Sequence, residues 1–300
     1  MGNEDPETAA RSTGCPPIMS IIIPAHNAAE TLGQQLEAIR TQTYEGKSEI
    51  IIVDNRSTDA TGAVVRFYQR LMPSLRLISA PEKPNSWYAR NVGVQAARGS
   101  KLIFCDADDM AAPGWLSAMA RALEEYDFVA GGVDIKTLNR PEPLRPFSYD
   151  GIKPALNFLP YASGCNMGIA RRAFEAVSGF AEDIFFSQDL DISWRLQLQG
   201  YPLHYEPAAV MLRRQRGTLR SLWKQIASYS QVYPLLYRRF APYGMPRPSL
   251  GKVFQRYKWL MLNIHYLVSG LPKRRAKWIY EAAICWGRLL GSLQHRTLFL

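Results

Sequence analysis

Short apolar runs alternate with segments of helical periodicity between residues 19 and 133. In the helical segments, apolar side chains recur at intervals of three and four residues, as at Leu32, Leu36 and Ile39. The apolar runs have the character of strands buried on both faces and lie at residues 20–24, 49–54, 75–78, 102–105 and 128–133. Repeated strand–helix–strand units predict a mostly parallel sheet with helices on both faces.

Two of the predicted apolar helix faces end in a leucine. Leu71 follows Val65 in the first, and Leu198 follows Trp194 in the second, which covers residues 188–199. Because these leucines continue the helical spacing, we expect both to be buried. Further elements are predicted as helices over residues 86–97 and 113–125 and as a strand over residues 163–170.

The composition is that of a globular protein, and the charge is divided unevenly along the chain. Hydrophobic residues make up 47% of the 300 residues, which excludes a fully disordered chain. Residues 1–210 carry 19 basic and 25 acidic residues, whereas residues 211–300 carry 17 basic residues and one acidic residue, Glu281. Such a concentration of positive charge indicates an anionic partner for the C-terminal part.

No segment has the pattern of a secretion signal or of a membrane-spanning helix. The longest uncharged apolar run, residues 259–271, is shorter than the roughly 20 residues that a spanning helix needs. The four cysteines are far apart and form no C-x-x-C pair, so we expect them to be reduced, without a disulfide or a structural zinc. We therefore expect a soluble or peripheral protein of the cytoplasm.

The basic C-terminal part is predicted to be helical over residues 229–240, 251–270 and 273–293. The last of these helices has an apolar stripe formed by Trp278, Ala282, Cys285, Leu289 and Leu293. Basic residues cluster at its start, at Lys273, Arg274, Arg275 and Lys277. A helix of this kind either contacts an anionic membrane surface, here at the inner face of the membrane, or packs on the rest of the protein. Nucleic-acid binding is disfavoured because no known nucleic-acid module is present.

The strongest candidate for chemistry is the acidic segment after the strand at residues 102–105. Asp106 and Asp108 are separated only by the small Ala107. In open parallel sheets ligands bind beyond the carboxyl ends of the strands, and Mg²⁺ is usually held by one or two carboxylates together with substrate phosphates. If the segment stays extended, both carboxylates can turn toward one divalent cation. The alternative is a structural role as an acidic cap for the helix that Pro113 begins.

Polar side chains also follow two other predicted strands, at His26, Asn27 and Asp54. Because the carboxyl ends of parallel strands share one edge of a sheet, we expect these residues to converge with Asp106. The chain has neither a P-loop nor a G-x-G-x-x-G motif, so no glycine-rich backbone cradles phosphates here. A diphosphate at this edge would have to be neutralised by a metal ion and by arginine.

Six short motifs occur in the same order as in family-2 glycosyltransferases, the inverting enzymes of the GT-A fold. They are I-I-I-P-A-H-N (residues 21–27), V-D-N-R-S-T-D (53–59), A-R-N-V-G with A-x-G (89–93 and 97–99), D-A-D-D (106–109), S-G-C-N-M (163–167) and S-Q-D-L-D (187–191). The resemblance spans residues 19–225 and is specific because of the order of its motifs. It implies an α/β, GT-A type fold and transfer of a sugar from a nucleoside-diphosphate sugar to an acceptor hydroxyl. The implied cofactor is Mn²⁺ or Mg²⁺, and the implied acceptor is a glycan, a lipid-linked sugar or a small molecule.

The resemblance also implies roles for single residues. The donor side would comprise Pro24, Ala25, His26, Asn27, Asp54, Arg56, Arg90, Asp106, Ala107 and Asp108, with Asp106 and Asp108 holding the metal. Asp189 would be the general base, and we expect the helix dipole to keep it ionised because it lies in a first helical turn. The acceptor side would comprise Gly164, Cys165, Asn166, Gln188 and Trp194, of which Trp194 also suits a core position.

These assignments divide the chain into three parts. Residues 1–17 are predicted to be a disordered leader and residues 216–300 a basic amphipathic helical extension. The transferase domain, residues 18–215, has a donor half over residues 18–133 and an acceptor half over residues 160–215. Five prolines in residues 136–160 mark a long loop between the halves, of the kind that forms a lid or binding loop.

The sequence departs from the family pattern in three places. Asn55 and Arg56 stand where V-D-D-G has Asp and Gly, and Gln188 stands in place of Glu. Residues 213–216 supply no histidine as a third metal ligand, although an arginine there could neutralise the departing diphosphate. Structural roles also stay open, with Arg90 pairing to Asp108 and Asp189 serving as a helix-capping acid.

Two other classes of protein are to be weighed against a transferase. A sugar nucleotidyltransferase also combines a nucleotide-binding sheet with acidic metal ligands, but it would have a glycine-rich basic loop after the first strand, and this chain has none. A non-catalytic sugar-nucleotide-binding protein with a degenerate site is suggested by Asn55 and Gln188.

Overall fold

The structure is a computed structural model that describes residues 19–139, 153–215 and 217–300. The predicted leader (1–17), the central part of the proline-rich loop and Arg216 lie outside the described residues. The strands are β1 (Met19–Ala25), β2 (Ser48–Asp54), β3 (Leu75–Ser79), β4 (Lys101–Cys105), β5 (Met110–Ala111), β6 (Phe128–Asp134), β7 (Asn166–Ala170) and β8 (His204–Leu212). They form one sheet in the order β3-β2-β1-β4-β7-β6-β8-β5.

Ten α-helices lie in the described residues. They are α1 (Leu32–Arg40), α2 (Thr61–Gln69), α3 (Ser86–Ala96), α4 (Trp115–Glu125), α5 (Arg171–Ala176), α6 (Gln188–Leu198), α7 (Leu219–Gln231), α8 (Tyr233–Phe240), α9 (Leu250–Leu262) and α10 (Pro272–Gln294). Short 3₁₀ helices cover Ala155–Asn157, Ala241–Tyr243 and Ile264–Val268. No helix of the described ranges combines the length and the apolar character needed to cross a bilayer.

The mostly parallel sheet is confirmed, with β7 and β5 running against the other strands. β7 lies between β4 and β6 and pairs antiparallel with both. The apolar run at residues 166–170 predicts a buried strand but carries no information on its direction. This insertion brings the segment before β7 beside the carboxyl end of β4, because Cys105 pairs with Asn166.

Side chains of β1 alternate between two cores, as the pleat of a strand requires. Ile21 and Ile23 point to the core under α1 and α4, whereas Ile22 points to the core under α3. α3 lies close to the sheet, since a Cβ added at Gly93 would be 2.5 Å from Ile22 Cγ2. The sheet is therefore covered on both faces.

The two leucines predicted to be buried are exposed. Leu71 is 53% exposed because α2 ends at Gln69, so Leu71 no longer follows the helical spacing. Leu198 is 40% exposed, as the last residue of α6. Leu32, Leu36 and Ile39 are buried as predicted.

The C-terminal helices pack on the transferase domain and on each other. Leu236 and Phe240 of α8 join Trp194 in one core, and α10 packs on α7. The contact with α7 is close, because a Cβ added at Gly287 would be 2.3 Å from the Ala227 oxygen and one at Gly291 would be 2.0 Å from the Gln231 oxygen.

The predicted apolar stripe of α10 is confirmed at Cys285, which is buried, but it is wrong at its C-terminal end. Its packed face is formed by Ala276, Ala283, Ile284, Cys285, Gly287 and Gly291. Leu289 and Leu293 of the predicted stripe are exposed. The prediction relied mainly on large apolar side chains. The close contact with α7, however, requires small side chains on the packed face of α10.

Candidate active site

The carboxyl ends of β1, β2 and β4 meet at one edge of the sheet. Ala25 pairs with Asp54, and Ile22 pairs with Phe104, so Asp106 follows β4 at the level where β1 ends. β1 lies between β2 and β4, which separates Asp54 from Asp106 by two strand spacings, roughly 10 Å. This is about the reach of a nucleotide lying across the edge.

The loops after β1 and β2 are tied together by hydrogen bonds. The Asn27 Oδ1 accepts from the Thr58 N–H at 2.8 Å, and the Asn27 N–H donates to Ser57 Oγ at 3.0 Å. Asp54 Oδ1 accepts from the Ser57 N–H at 3.0 Å, and His26 Nδ1 donates to the Asn55 oxygen at 2.8 Å. Pro24 and Ala25 are buried, whereas His26 and Asn27 are exposed.

The two departures in this loop have structural explanations. Asn55 is buried, and its Nδ2 donates to the oxygens of Ala80 at 2.6 Å and Lys83 at 2.8 Å, which an aspartate could not do. Arg56 has φ +66°, the left-handed conformation that the usual glycine would adopt without strain. Its side chain is exposed at the rim of the sheet edge. Asn55 is therefore no sign of a degenerate site.

The acidic segment turns instead of staying extended. Residues 107 and 108 form a turn, which places Asp106 and Asp109 on the same side. One ligand atom each of Asp106, Asp109 and Cys165 lies within 4.8 Å of the others, whereas Asp108 is exposed. The segment is therefore not extended as expected, and Asp109, three residues after Asp106, joins the group in place of Asp108.

Asp109 has an unsatisfied carboxylate oxygen. Its Oδ1 accepts from the Arg214 N–H at 2.9 Å, but its Oδ2 is buried without a hydrogen-bond partner. Burial and then the charges of Asp106 and Asp108 raise the pKa of Asp109 well above its ordinary value. Burial also raises the pKa of the Cys165 thiol to about 12, so the thiol is a poor ligand. The two carboxylates fit a hard divalent cation, and the orphaned oxygen is the atom that such a cation would satisfy.

Arg90 connects the acidic segment to the strand entry of β7. Its guanidinium forms an ion pair with Asp106, donates to the Gly164 oxygen at 3.0 Å and lies over the Trp87 ring at 4.3 Å. The side chain is 2% exposed. The predicted structural alternative paired Arg90 with Asp108, whereas the ion pair that Arg90 forms is with Asp106.

Asp189 lies at the same place, in the first turn of α6. Its Oδ1 accepts from the Leu190 N–H at 3.0 Å, and the Gly164 N–H also points to this carboxylate. The preceding Ser187 has φ +56°, which sets the entry of the helix. Burial raises the pKa of Asp189 against the effect of these N–H groups and of Arg213 and Arg90. Burial thus has a larger effect on this pKa than the hydrogen bonds and the arginines, and the ionisation of Asp189 by the helix dipole stays a prediction.

The predicted acceptor residues are mostly inside the protein. Trp194 is fully buried in the core with Phe240, and its Nε1 donates to the Leu159 oxygen at 2.9 Å. Asn166 is also fully buried and uses its amide for bonds to Trp115, Gly132 and Ala209. These two residues position the site and cannot touch an acceptor.

Gly164 and Gln188, two other predicted acceptor residues, have different surroundings from Trp194 and Asn166. A Cβ at Gly164 would be 2.4 Å from the Trp87 ring, so only glycine fits between Arg90 and Asp189. Gln188 is fully buried, and both polar atoms of its amide lack a hydrogen-bond partner. Gly164 is thus central to the site, while Gln188 lies behind it.

Arg213 is the cation that faces this acidic group. Its N–H donates to the Asp134 oxygen at 2.7 Å, and its oxygen accepts from Asn139 Nδ2 at 2.7 Å, which fixes the segment after β8. The charge of Arg213 acts on Asp106, Asp109 and Asp189. The sequence already indicated this position, because residues 213–216 contain arginines where the family pattern has a histidine.

Comparison with known proteins decides the family. The sequence profile described as "Glycosyl transferase family 2" matches residues 20–178. The chain belongs to glycosyltransferase family 2. The AglE glycosyltransferase of Haloferax volcanii is 26% identical over 271 residues, covering 86% of each chain. Poly-β-1,6-N-acetyl-D-glucosamine synthase of Staphylococcus aureus is 24% identical over 223 residues, covering 71% of this chain and 54% of the synthase.

Solved structures show the GT-A fold. The mannosyltransferase PcManGT of Pyrobaculum calidifontis, in complex with GDP-Man and Mn²⁺, superposes with a TM-score of 0.69 at 20% identity, covering 93% of this chain and 88% of the other. S. aureus TarS 1–349 with UDP-GlcNAc gives a TM-score of 0.52 at 15% identity, covering 93% and 92%. The family-2 chain is a glycosyltransferase, so the nucleotidyltransferase alternative is wrong.

Proposed function

We propose that this glycosyltransferase moves a sugar, with inversion, from a nucleoside-diphosphate sugar to an acceptor hydroxyl in a cation-dependent reaction. The observation that carries the proposal is the position of Gly164. Its oxygen accepts from Arg90, which holds Asp106, and its N–H points to Asp189. The donor-side carboxylate and the candidate base are therefore linked through a single residue, Gly164, and the proposal places both reactants beside it.

The donor nucleotide lies across the ends of β2, β1 and β4 in this proposal. Pro24, Ala25, Asn27 and Asp54 flank the base and ribose, and Asp106 lies where the diphosphate begins. Arg56, exposed at the rim, reaches the donor from the side of β2. This order is inferred from the strand register, and TarS, which shares the fold, has a structure in complex with UDP-GlcNAc.

Asp106 and Asp109 hold the divalent cation, either Mn²⁺ or Mg²⁺. When bound, the cation supplies Lewis-acid stabilisation of the leaving diphosphate. Arg213 adds a fixed positive charge beside the two carboxylates and contacts the same leaving group. Arg90 positions Asp106, because its own exposure of 2% leaves it little access to the donor.

Asp189 is the general base in this proposal. Inversion requires that a proton leaves the acceptor hydroxyl on the face opposite the departing diphosphate, and a positioned base contributes roughly 10²–10⁴-fold. Because burial raises its pKa, Asp189 is a stronger base than a solvated aspartate. The acceptor hydroxyl belongs to a glycan, a lipid-linked sugar or a small molecule.

The proposal is tested with a panel of sugar nucleotides, with and without Mn²⁺ or Mg²⁺. We expect one donor to raise the melting temperature in the presence of the cation. With the cation present and no acceptor added, the enzyme should release nucleoside diphosphate slowly from this donor. A non-catalytic binding protein would show the thermal shift without any release. Absence of both effects across the panel would contradict the proposal.

We further propose that the surface of α9 contacts an anionic membrane. Eight large apolar side chains of α9 and the following 3₁₀ helix are exposed: Leu250, Phe254, Tyr257, Met261, Leu262, Ile264, Leu267 and Val268. Basic residues surround them, among them Lys252, Lys258 and Lys273. Exposed apolar residues within positive charge favour the interface of anionic lipid. In this proposal the enzyme acts at the inner face of the membrane.

The membrane contact is tested by co-sedimentation with phosphatidylglycerol vesicles at rising salt. We expect binding at low salt that weakens as the salt concentration rises, and weaker binding for Phe254→Ser. Phe67→Ser is the matched control, because Phe67 is 58% exposed on α2. Equal binding of both variants, or none by the wild type, would contradict the contact.

A further inference from the structure

A cavity lies beside the helical extension, apart from the acidic site at the sheet edge. Its volume is about 390 Å³, and it lies between α9, α10 and the residues Phe299 and Leu300. None of the residues that line it belongs to the acidic site at the sheet edge. The two sites are therefore separate.

Four basic side chains line this cavity: Arg247, Lys252, Arg256 and Arg288. Arg256 pairs with Glu281 at 3.0 Å, and Glu281 is the only acidic residue after residue 210. Arg288 Nη1 donates to the Leu300 oxygen at 3.0 Å. The positive side chains that line the cavity therefore outnumber the acidic side chain that pairs with one of them.

Arg288 is held in an unfavourable environment. Its Nε is buried without a hydrogen-bond partner. Burial and the neighbouring charge of Arg256 lower the pKa of Arg288 from its usual range. A bound anion would supply the missing acceptor and offset the repulsion between the arginines.

The start of α9 also favours an anion. Its N-cap, Ser249, lines the cavity together with Lys252, so the positive end of the helix dipole opens there. The planar guanidinium groups of Arg247, Arg256 and Arg288 suit the tetrahedral oxygens of phosphate. We propose that this cavity is a binding site for a phosphate group carried on an organic ligand.

The size and the apolar part of the lining indicate more than free phosphate. A water molecule occupies roughly 30 Å³ of liquid, so the cavity has room for a phosphate and several further atoms. Leu156, Val253 and Phe299 provide apolar wall. Phe254 is exposed on the adjoining face of α9, where an apolar chain could continue. A lipid phosphate and a soluble phosphate ester both satisfy this chemistry.

The site is tested by calorimetric titration of the full chain with inorganic phosphate, hexyl phosphate and hexanol. We expect saturable binding of hexyl phosphate, which the double variant Arg247→Gln/Lys252→Gln weakens by roughly tenfold or more. Both side chains are exposed, so folding is maintained. The control is Lys224→Gln/Lys258→Gln, which removes the same charge from exposed positions outside the cavity and leaves the affinity unchanged.

The arms of the experiment distinguish the two sources. Hexyl phosphate that binds at least tenfold more tightly than inorganic phosphate, with Phe254→Ser removing the difference, identifies a lipid phosphate. Equal affinity for both identifies a soluble phosphate. No saturable binding of either, or equal weakening by the two double variants, would overturn the site. These outcomes do not depend on sugar transfer.

Discussion

Replacement of Asp109 by asparagine tests which carboxylate accompanies Asp106 in the cation site. The two possible pairs are Asp106 with Asp109 and Asp106 with Asp108. Asp109 Oδ2 is buried without a hydrogen-bond partner, and one carboxylate oxygen of Asp109 lies within 4.8 Å of one of Asp106. Asparagine keeps the shape and the bond that Oδ1 accepts from the Arg214 N–H, but removes the charge. Asp108→Asn is the matched control, because it removes an equal charge from the exposed side of the same turn.

The structure gives the size of the expected effects. Loss of an outer-shell partner of a metal typically costs 10–100-fold in affinity, so loss of one of two carboxylate ligands should cost at least roughly 100-fold. In the absence of the cation, Asp109→Asn should be stabilising and not damaging. Because burial and the neighbouring carboxylates raise the pKa of Asp109, its ionised form destabilises the folded, cation-free protein at neutral pH. Asp109→Asn should therefore raise the stability of the cation-free protein.

The assay is thermal unfolding with and without Mn²⁺. A cation at 100 times its Kd stabilises by about 2.7 kcal/mol, which raises the melting temperature by roughly 5–10 °C. We expect this rise in the wild type and in Asp108→Asn, and none in Asp109→Asn. A full rise in Asp109→Asn together with its loss in Asp108→Asn would refute the reasoning and restore the D-x-D pair.

Three further predictions concern the base, the donor rim and the helical extension. Transfer should fall as the pH drops through the raised pKa of Asp189, so the acidic limb of the kcat/KM profile should lie above the range of a solvated aspartate, and a limb near pH 4 would contradict this. Arg56→Gly should change the unfolding free energy by less than about 1 kcal/mol, because relief of the strain at φ +66° offsets the added flexibility, while the KM for the donor rises; an unchanged KM would remove Arg56 from donor binding. Gly287→Ala should destabilise by roughly 1–3 kcal/mol in denaturant unfolding, because the new Cβ meets the Ala227 oxygen, whereas Gly251→Ala, which meets open space, should not; equal stability of the two would contradict the close packing of α10 on α7.

The donor half of the fold could be predicted from the sequence because its strands are continuous apolar runs with helical segments between them. Periodicity placed β1, β2 and β4 and, through them, the positions of Asp54 and Asp106. It could not give the antiparallel insertion of β7, since a buried strand has the same pattern in either direction. That insertion is what brings Gly164 to the active site.

Local geometry decided the details that the sequence pattern left open. Whether Asp108 or Asp109 accompanies Asp106 depends on a turn at residues 107 and 108, and hydrophobic periodicity does not describe turns. The burial of Trp194 was open because one helical face can serve either a core or a ligand. The sequence showed that an arginine, Arg213, occurs where the family has a histidine. The position of Arg213 beside the acidic group, however, depends on how β8 pairs with β6.

The most direct test of the account is the transfer activity of Asp189→Asn, measured together with its donor affinity. Once the donor is known, we expect the rate of sugar transfer to fall by roughly 10²–10⁴-fold. The donor Kd should stay within about threefold of the wild type, because the substitution removes a base and not a donor ligand. Transfer at the wild-type rate would contradict the assignment of Asp189 and, with it, the claim that donor and acceptor meet in the pocket around Gly164.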